Sequence, residues 1–216
     1  MRTFAFFLSA ILVLAEGNQA RAQECCHAWE VFGGYTHLNS SPDGDIIISD
    51  QFNNRYGMNG FGISLARNIS KKLGIAGEYS FNSRESSIGG VTIGGNTVGE
   101  TNVDLNAFTF LVGPRFSARS DDSSFFVQTM VGAVRRKADI RGLLDSGGSV
   151  DTDSSSTGFA LGFGGGADIH ASKHITARLF QFDYIPVRAR TDGTDRAWNH
   201  NYRLQTGIVV RWGAIR

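Results

Sequence analysis

The chain has 216 residues, 21 Lys and Arg against 20 Asp and Glu for a net charge of +1, and 27 Gly against only 3 Pro. That near-neutral balance argues against nucleic acid as a partner, because a phosphate-binding face needs a basic excess. The scarcity of Pro excludes collagen-like and Pro-rich disordered chains, and the two adjacent cysteines, Cys25 and Cys26, cannot staple distant parts of a fold.

Behind Met1-Arg2 runs an apolar stretch from Phe4 to Ala15, followed by the small-residue site Ala20-Arg21-Ala22. This is the layout of a secretory signal peptide, and the stretch is shorter than the ~20 residues a helix needs to cross a bilayer. Two segments are therefore expected: residues 1–22 as a cleaved signal peptide and residues 23–216 as one domain. Ala22-Gln23-Glu24 does not supply the small residue that precedes a lipidated cysteine. A metal centre at Cys25, Cys26 and His27 is not expected from three ligands bunched near a chain end, and no cofactor is implied.

No later stretch of eighteen apolar residues exists, so a helical membrane span is not expected. Instead, segments of about ten residues alternate apolar and polar side chains between polar connections, the pattern of a transmembrane β-barrel. In chain order the expected strands cover residues 28–38, 56–67, 73–84, 103–117, 124–136, 158–169, 175–186 and 201–212. Short connections (Asn68 to Lys72, Ala118 to Ser123, His170 to His174) interleave with long ones (Asn39 to Arg55, Glu85 to Asn102, Lys137 to Thr157, Val187 to His200). The fold class expected is all-β, an eight-stranded antiparallel up-and-down transmembrane barrel in the bacterial outer membrane. Its short turns and chain ends would lie in the periplasm. The long connections, such as Ser86 to Gly95 and Asp145 to Asp153, read as Gly-, Ser- and Asp-rich loops, and the second lacks the ligand spacing of a calcium loop.

Parity sorts the side chains. In strand four Phe108, Phe110, Val112, Pro114 and Phe116 share one face, while Thr109, Gly113 and Arg115 share the other. In strands two and three Phe61, Ile63, Leu65, Ile75, Tyr79 and Phe81 oppose Ser64, Ala76, Glu78 and Ser80. The lipid-facing set and its aromatic girdle is expected to include Phe108, Phe110, Phe116, Phe163 and Trp212. A mid-membrane Arg on that face would cost ~2–4 kcal/mol, so charges of the opposite parity should point inward and pair. The lumen network is expected to hold Glu78, Arg115, Gln128, Arg178, Arg203 and Gln205 as structural rather than catalytic residues. Strand seven breaks the rule: Arg178 takes one parity, Gln181 and Asp183 the other, and a β-bulge is needed to reconcile them.

The chain resembles the outer membrane β-barrel family typified by the transmembrane domain of outer membrane protein A. The resemblance rests on Trp29-Glu30-Val31-Phe32-Gly33-Gly34-Tyr35, on Val112-Gly113-Pro114-Arg115, and on Arg178 followed by Gln181-Phe182-Asp183-Tyr184. The last two look like the strand-four and strand-seven signatures of its small porin-like barrels. The resemblance implies outer membrane lipids and the barrel-insertion machinery as partners. The chain stops four residues beyond Trp212, so a second, peptidoglycan-binding domain is not expected, and Trp212 takes the place of the family's last aromatic.

The function expected is non-enzymatic: a structural, surface-interaction or narrow porin-like barrel, its lumen closed by the charged network, its long connections offered to an external ligand or host surface. An alternative is a membrane-embedded enzyme acting on lipid or peptide, because closure would bring His37 and His200 to the outer rim with Ser40, Ser41 and Asp195 in reach, the minimum for base-activated attack. Another is a soluble periplasmic ligand-binding barrel, which would invert the parity and enclose the Phe-rich face. Nothing in the sequence sets an oligomeric state.

Overall fold

The computed structural model describes residues 27–40, 56–93, 96–144, 149–188 and 198–215. The expected signal peptide, Cys25, Cys26, Ser41 and Asp195 lie outside them. Eight strands follow one another: β1 (His27–Ser40), β2 (Tyr56–Asn68), β3 (Leu73–Ile93), β4 (Asn96–Arg119), β5 (Ser123–Leu144), β6 (Ser149–His170), β7 (Ile175–Arg188) and β8 (Trp198–Ala214). Each pairs antiparallel with its neighbours in sequence, and β1 pairs β8 from His27↔Ala214 to Asn39↔Tyr202, closing the barrel.

Barrel size follows from the register. Starting at Trp29, the pairing passes Arg67, Ile75 and Pro114, then in register Thr129, Phe163, Tyr184 and Tyr202, and returns to β1 at Asn39, ten residues along. Eight strands with that stagger tilt by roughly 40° and set a backbone radius of about 8 Å, a space that side chains alone can fill.

The three short turns fall where expected but are one to three residues shorter, 69–72, 120–122 and 171–174. Two use one device: the Ser70 hydroxyl accepts from Leu73 N at 3.1 Å, and the Ser172 hydroxyl accepts from Ile175 N at 3.1 Å. The other end departs from expectation. Much of what reads as loop is strand, because β3 and β4 stay paired out to Ile93↔Asn96, and β5 and β6 out to Leu143↔Ser149. Polar, Gly-rich composition hides these extensions because the ladder's backbone hydrogen bonds do not depend on side chains. Among the described residues the barrel therefore has a tall wall, β3 to β6, and a lower one.

The outer surface carries the apolar face. Phe61, Ile63, Leu65, Ile75, Phe110, Phe116, Phe125, Phe159, Phe163, Leu204 and Trp212 are all exposed there, and Phe108 is half-buried, with the Phe81 ring and Lys137 beside it. Phe32 and Phe126 are the exceptions, buried inside. The interior is also less polar than the alternation suggests. Leu38, Met58, Val103 and Leu105 form one apolar cluster, and Leu111, Met130, Val134 and Ile185 form another.

Candidate functional site

Between the short turns and those apolar clusters lies a network of charged and amide side chains to which every strand contributes. Its positioning depends on one irregularity. On β7 the register runs Arg178↔Gly207 and then Gln181↔Gln205, one residue longer than its partner. Leu179 and Phe180 occupy that bulge and both stay on the outer surface, 51% and 48% exposed. The extra residue turns Arg178, Gln181 and Asp183 to the same inner face, which a regular strand would forbid.

Glu78 of β3 sits at the centre. Its Oε1 accepts from Gln128 Nε2 and from Gln181 Nε2, each at 2.9 Å, and its Oε2 pairs with Arg203 Nη2. Arg115 Nη2 is 3.5 Å from Glu78 Oε1, an ion pair without hydrogen-bond geometry, while Arg115 Nε donates to Gln128 Oε1 at 3.1 Å. Asp183 is the second hub. Its Oδ2 accepts from Arg203 Nε at 3.1 Å and Nη2 at 2.9 Å, from Gln181 Nε2 at 2.9 Å and from Gln205 Nε2 at 3.2 Å. Gly164 makes room for it, since a Cβ there would lie 2.0 Å from Asp183 Oδ1.

Arg178 forms a two-pronged pair with Asp168, at 2.9 and 3.2 Å, and donates to Gln181 Oε1 at 2.7 Å. Its guanidinium lies 4.7 Å from the Phe32 ring centre and 4.5 Å from that of Phe126, and Arg115 lies 4.4 Å from Phe126. The two inward phenylalanines thus solvate cations that have left water. Nearer the turns, Glu30 Oε1 accepts from Asn68 Nδ2 at 2.8 Å and from Arg119 Nη2 at 3.0 Å, and Glu30 Oε2 is 3.7 Å from Arg115.

The six residues named from sequence, Glu78, Arg115, Gln128, Arg178, Arg203 and Gln205, are all at most 4% exposed and all belong to this network. Sequence reasoning left Glu30, Asn68, Arg119, Asp168, Gln181 and Asp183 out of it. The signal for two of them was present: two adjacent large apolar residues, Leu179-Phe180, flanked by polar ones mark a bulge with both side chains outward. Glu30 carried no such mark, because it shares parity with the buried Phe32 and finds its partners on β2 and β4.

Of the rim residues suggested for base-activated attack, the described ones, His37, His200 and Ser40, do not contact one another in a His–Ser pair. His37 faces outward with Nδ1 2.8 Å from Asn59 Oδ1, and His200 meets the Tyr184 hydroxyl. Ser40 points inward on β1, fully buried, donating to Asn201 Oδ1 at 2.8 Å. His37 and Ser40 thus lie on opposite faces of one strand.

A closed barrel with an apolar outer belt and paired charges within belongs to the class of outer membrane β-barrels. The family model for the outer membrane protein beta-barrel domain matches residues 6–207, and the chain belongs to that family. It is therefore a protein of the bacterial outer membrane. Among solved structures, Ail, the attachment invasion locus protein of Yersinia pestis, crystallised with the heparin analogue sucrose octasulfate, superposes with a TM-score of 0.55 at 14% identity, over 85% of this chain and 97% of that one. Neisserial surface protein A gives 0.53 at 15% identity, over 86% and 97%. These likenesses establish the shared fold. No curated protein matches the sequence.

Proposed function

We propose that this protein is a non-enzymatic surface barrel whose lumen is closed by the Glu78–Asp183 network and whose tall wall, β3 to β6, is the part offered to an external ligand or host surface. The observation that carries the reading is the network itself. A backbone radius of about 8 Å leaves no wide channel once the interior holds Arg115, Arg178 and Arg203, each 1% exposed, with their partners. Enclosed, hydrogen-bonded ion pairs hold one geometry because separating them leaves unpaired charge out of water. In this orientation the short turns and both chain ends face the periplasm, residues 1–22 are removed on export, and the Phe108, Phe110, Phe116, Phe163 and Trp212 face contacts lipid.

Ail is seen with a sulfated sugar, and the interaction assigned here is of that general kind, an external ligand met outside the membrane. Planar-bilayer recording tests closure: the reading expects no sustained nanosiemens steps, and such steps would overturn it. For the wall, a variant lacking residues 86–103 should keep the heat-modifiable gel mobility of a folded barrel and lose adhesion to host-cell or matrix surfaces. Undiminished adhesion would remove the wall from the account.

A further inference from the structure

On the outer surface, at the end with the short turns, lies a groove of about 790 Å³ across β1, β2 and β3, with Ala214 at the end of β8 and the following Ile215 also lining it. Two rows of paired residues build it: Trp29, Arg67 and Ile75 in one, Leu65 and Gly77 in the next. Leu65 and Ile75 are about half exposed, and Gly77 deepens the groove, because a Cβ there would meet nothing within 4 Å. The Arg67 guanidinium stands 5.2 Å from the Trp29 ring centre, and the exposed Lys71 and Lys72 follow in the adjoining turn. None of the groove's lining residues is acidic.

From this geometry we infer that the groove is a binding site for an anionic glycerophospholipid of the periplasmic leaflet, one acyl chain lying over Gly77 between Leu65 and Ile75 and the phosphate meeting Arg67. The inference rests on the orientation proposed above. An apolar floor beside a Trp marks the border between acyl chains and headgroups, where indole rings settle. Three basic side chains at that border attract a headgroup of net negative charge over a zwitterionic one. The neighbouring Gly33 is equally open, with nothing within 4 Å of a Cβ, yet does not line the groove.

Native mass spectrometry of the detergent-purified protein with phosphatidylglycerol, phosphatidylethanolamine and lipopolysaccharide tests it. The wild type should retain phosphatidylglycerol in preference to the others. Gly77→Leu should fold, judged by heat-modifiable mobility, and lose that retention at least about tenfold, while Gly33→Leu adds the same bulk outside the groove and changes nothing. Arg67→Gln should weaken phosphatidylglycerol about fivefold, the scale of one cation at an anionic surface, and erase the preference. Equal retention by wild type and Gly77→Leu, no preference among phospholipids, or capture of lipopolysaccharide instead would overturn the site. Orientation is read separately, by labelling Ser70→Cys in a Cys25→Ser, Cys26→Ser background with an impermeant maleimide on intact cells. Labelling there would refute the orientation while leaving the lipid measurement intact.

Discussion

The carboxylates inside this barrel and those on its tall wall are placed by opposite rules. Inside, Glu78 and Asp183 each face an arginine and several amide donors, and among the described residues no two inward acids stand directly opposite each other across a strand pair. Beyond the apolar belt, the register sets Glu85 opposite Asp104, Asp104 opposite Asp139, and Asp139 opposite Asp153, four acids in one outward row. Like charges directly opposed across strands are destabilising. Where burial makes an unpaired charge expensive, the sequence pairs it. Where water screens it, the sequence leaves the repulsion in place, so the upper wall is not arranged for stability and its surface chemistry is free to serve contact with something else.

The contrast is broken most severely by moving the inner hubs to the outer face. Deleting Phe182 leaves no arrangement of β7, either regular or with the Leu179–Phe180 bulge, in which Arg178, Gln181 and Asp183 all point inward, and no folded barrel should form in detergent, judged by heat-modifiable mobility. Deleting Leu179 removes the bulge but keeps all three on one parity, so that variant should fold; failure of both deletions alike would break the parity argument. Next in size, Arg203→Ala strands Glu78 and Asp183 without their shared cation. It should cost about 3–5 kcal/mol in urea unfolding, as expected when one partner of a buried pair is removed. A smaller effect is expected from Gly164→Ala, which pushes a methyl against Asp183 Oδ1 and the Phe182 carbonyl, 2.0 and 2.6 Å from the new atom. About 1–3 kcal/mol is expected on the same measurement, and Gly33→Ala should cost almost nothing.

What the sequence exposes and what it conceals divide along the same line. The eight strands and their order are legible because the alternation of Phe108, Phe110, Val112, Pro114 and Phe116 with Thr109, Leu111, Gly113 and Arg115 follows directly from two different environments on two faces. The inward position of Glu78, Arg115 and Arg203 comes from the same rule. It misleads where an aromatic serves a charge, as with Phe32 and Phe126 against Arg178, since their apolar character alone would send them to lipid. Hidden for a different reason is the upper wall from Ser86 to Ile93 and from Asp151 onward. With water on its outer face, no alternation is enforced, and Gly, Ser and Asp read as loop although the backbone ladder continues. Partnerships such as Glu30 with Asn68 and Arg119, 38 and 89 residues away, depend on closure and leave no local trace.

The mildest test concerns the acidic row alone. Asp153, fully exposed on β6 and six residues beyond Phe159, the last apolar residue of its outer face, is outside the membrane-spanning part. The hydrogen bond that its protonated carboxyl donates to Asp139, and then the charge of Asp139, hold that carboxyl above the ordinary carboxylate range, with Asp151 adding to the effect and Arg141 opposing it. The folded wall therefore binds this proton more tightly than the unfolded chain does. The stability it contributes is present in full at pH below the ordinary carboxylate value and is lost as pH rises through the elevated one. Amide protection of residues 137–141 and 151–155 in hydrogen–deuterium exchange, corrected for intrinsic exchange rates, should fall as pH is raised from acid towards neutral. Asp139→Asn should flatten that dependence, because an amide opposite Asp153 neither repels its charge nor needs its proton. Protection around Glu78 and Asp183 should not follow the same curve, since those carboxylates hold arginine and amide donors rather than one another. An unchanged slope in Asp139→Asn would mean that the opposed acids do not set the wall's stability, and the contrast between the two regions would then reduce to burial alone.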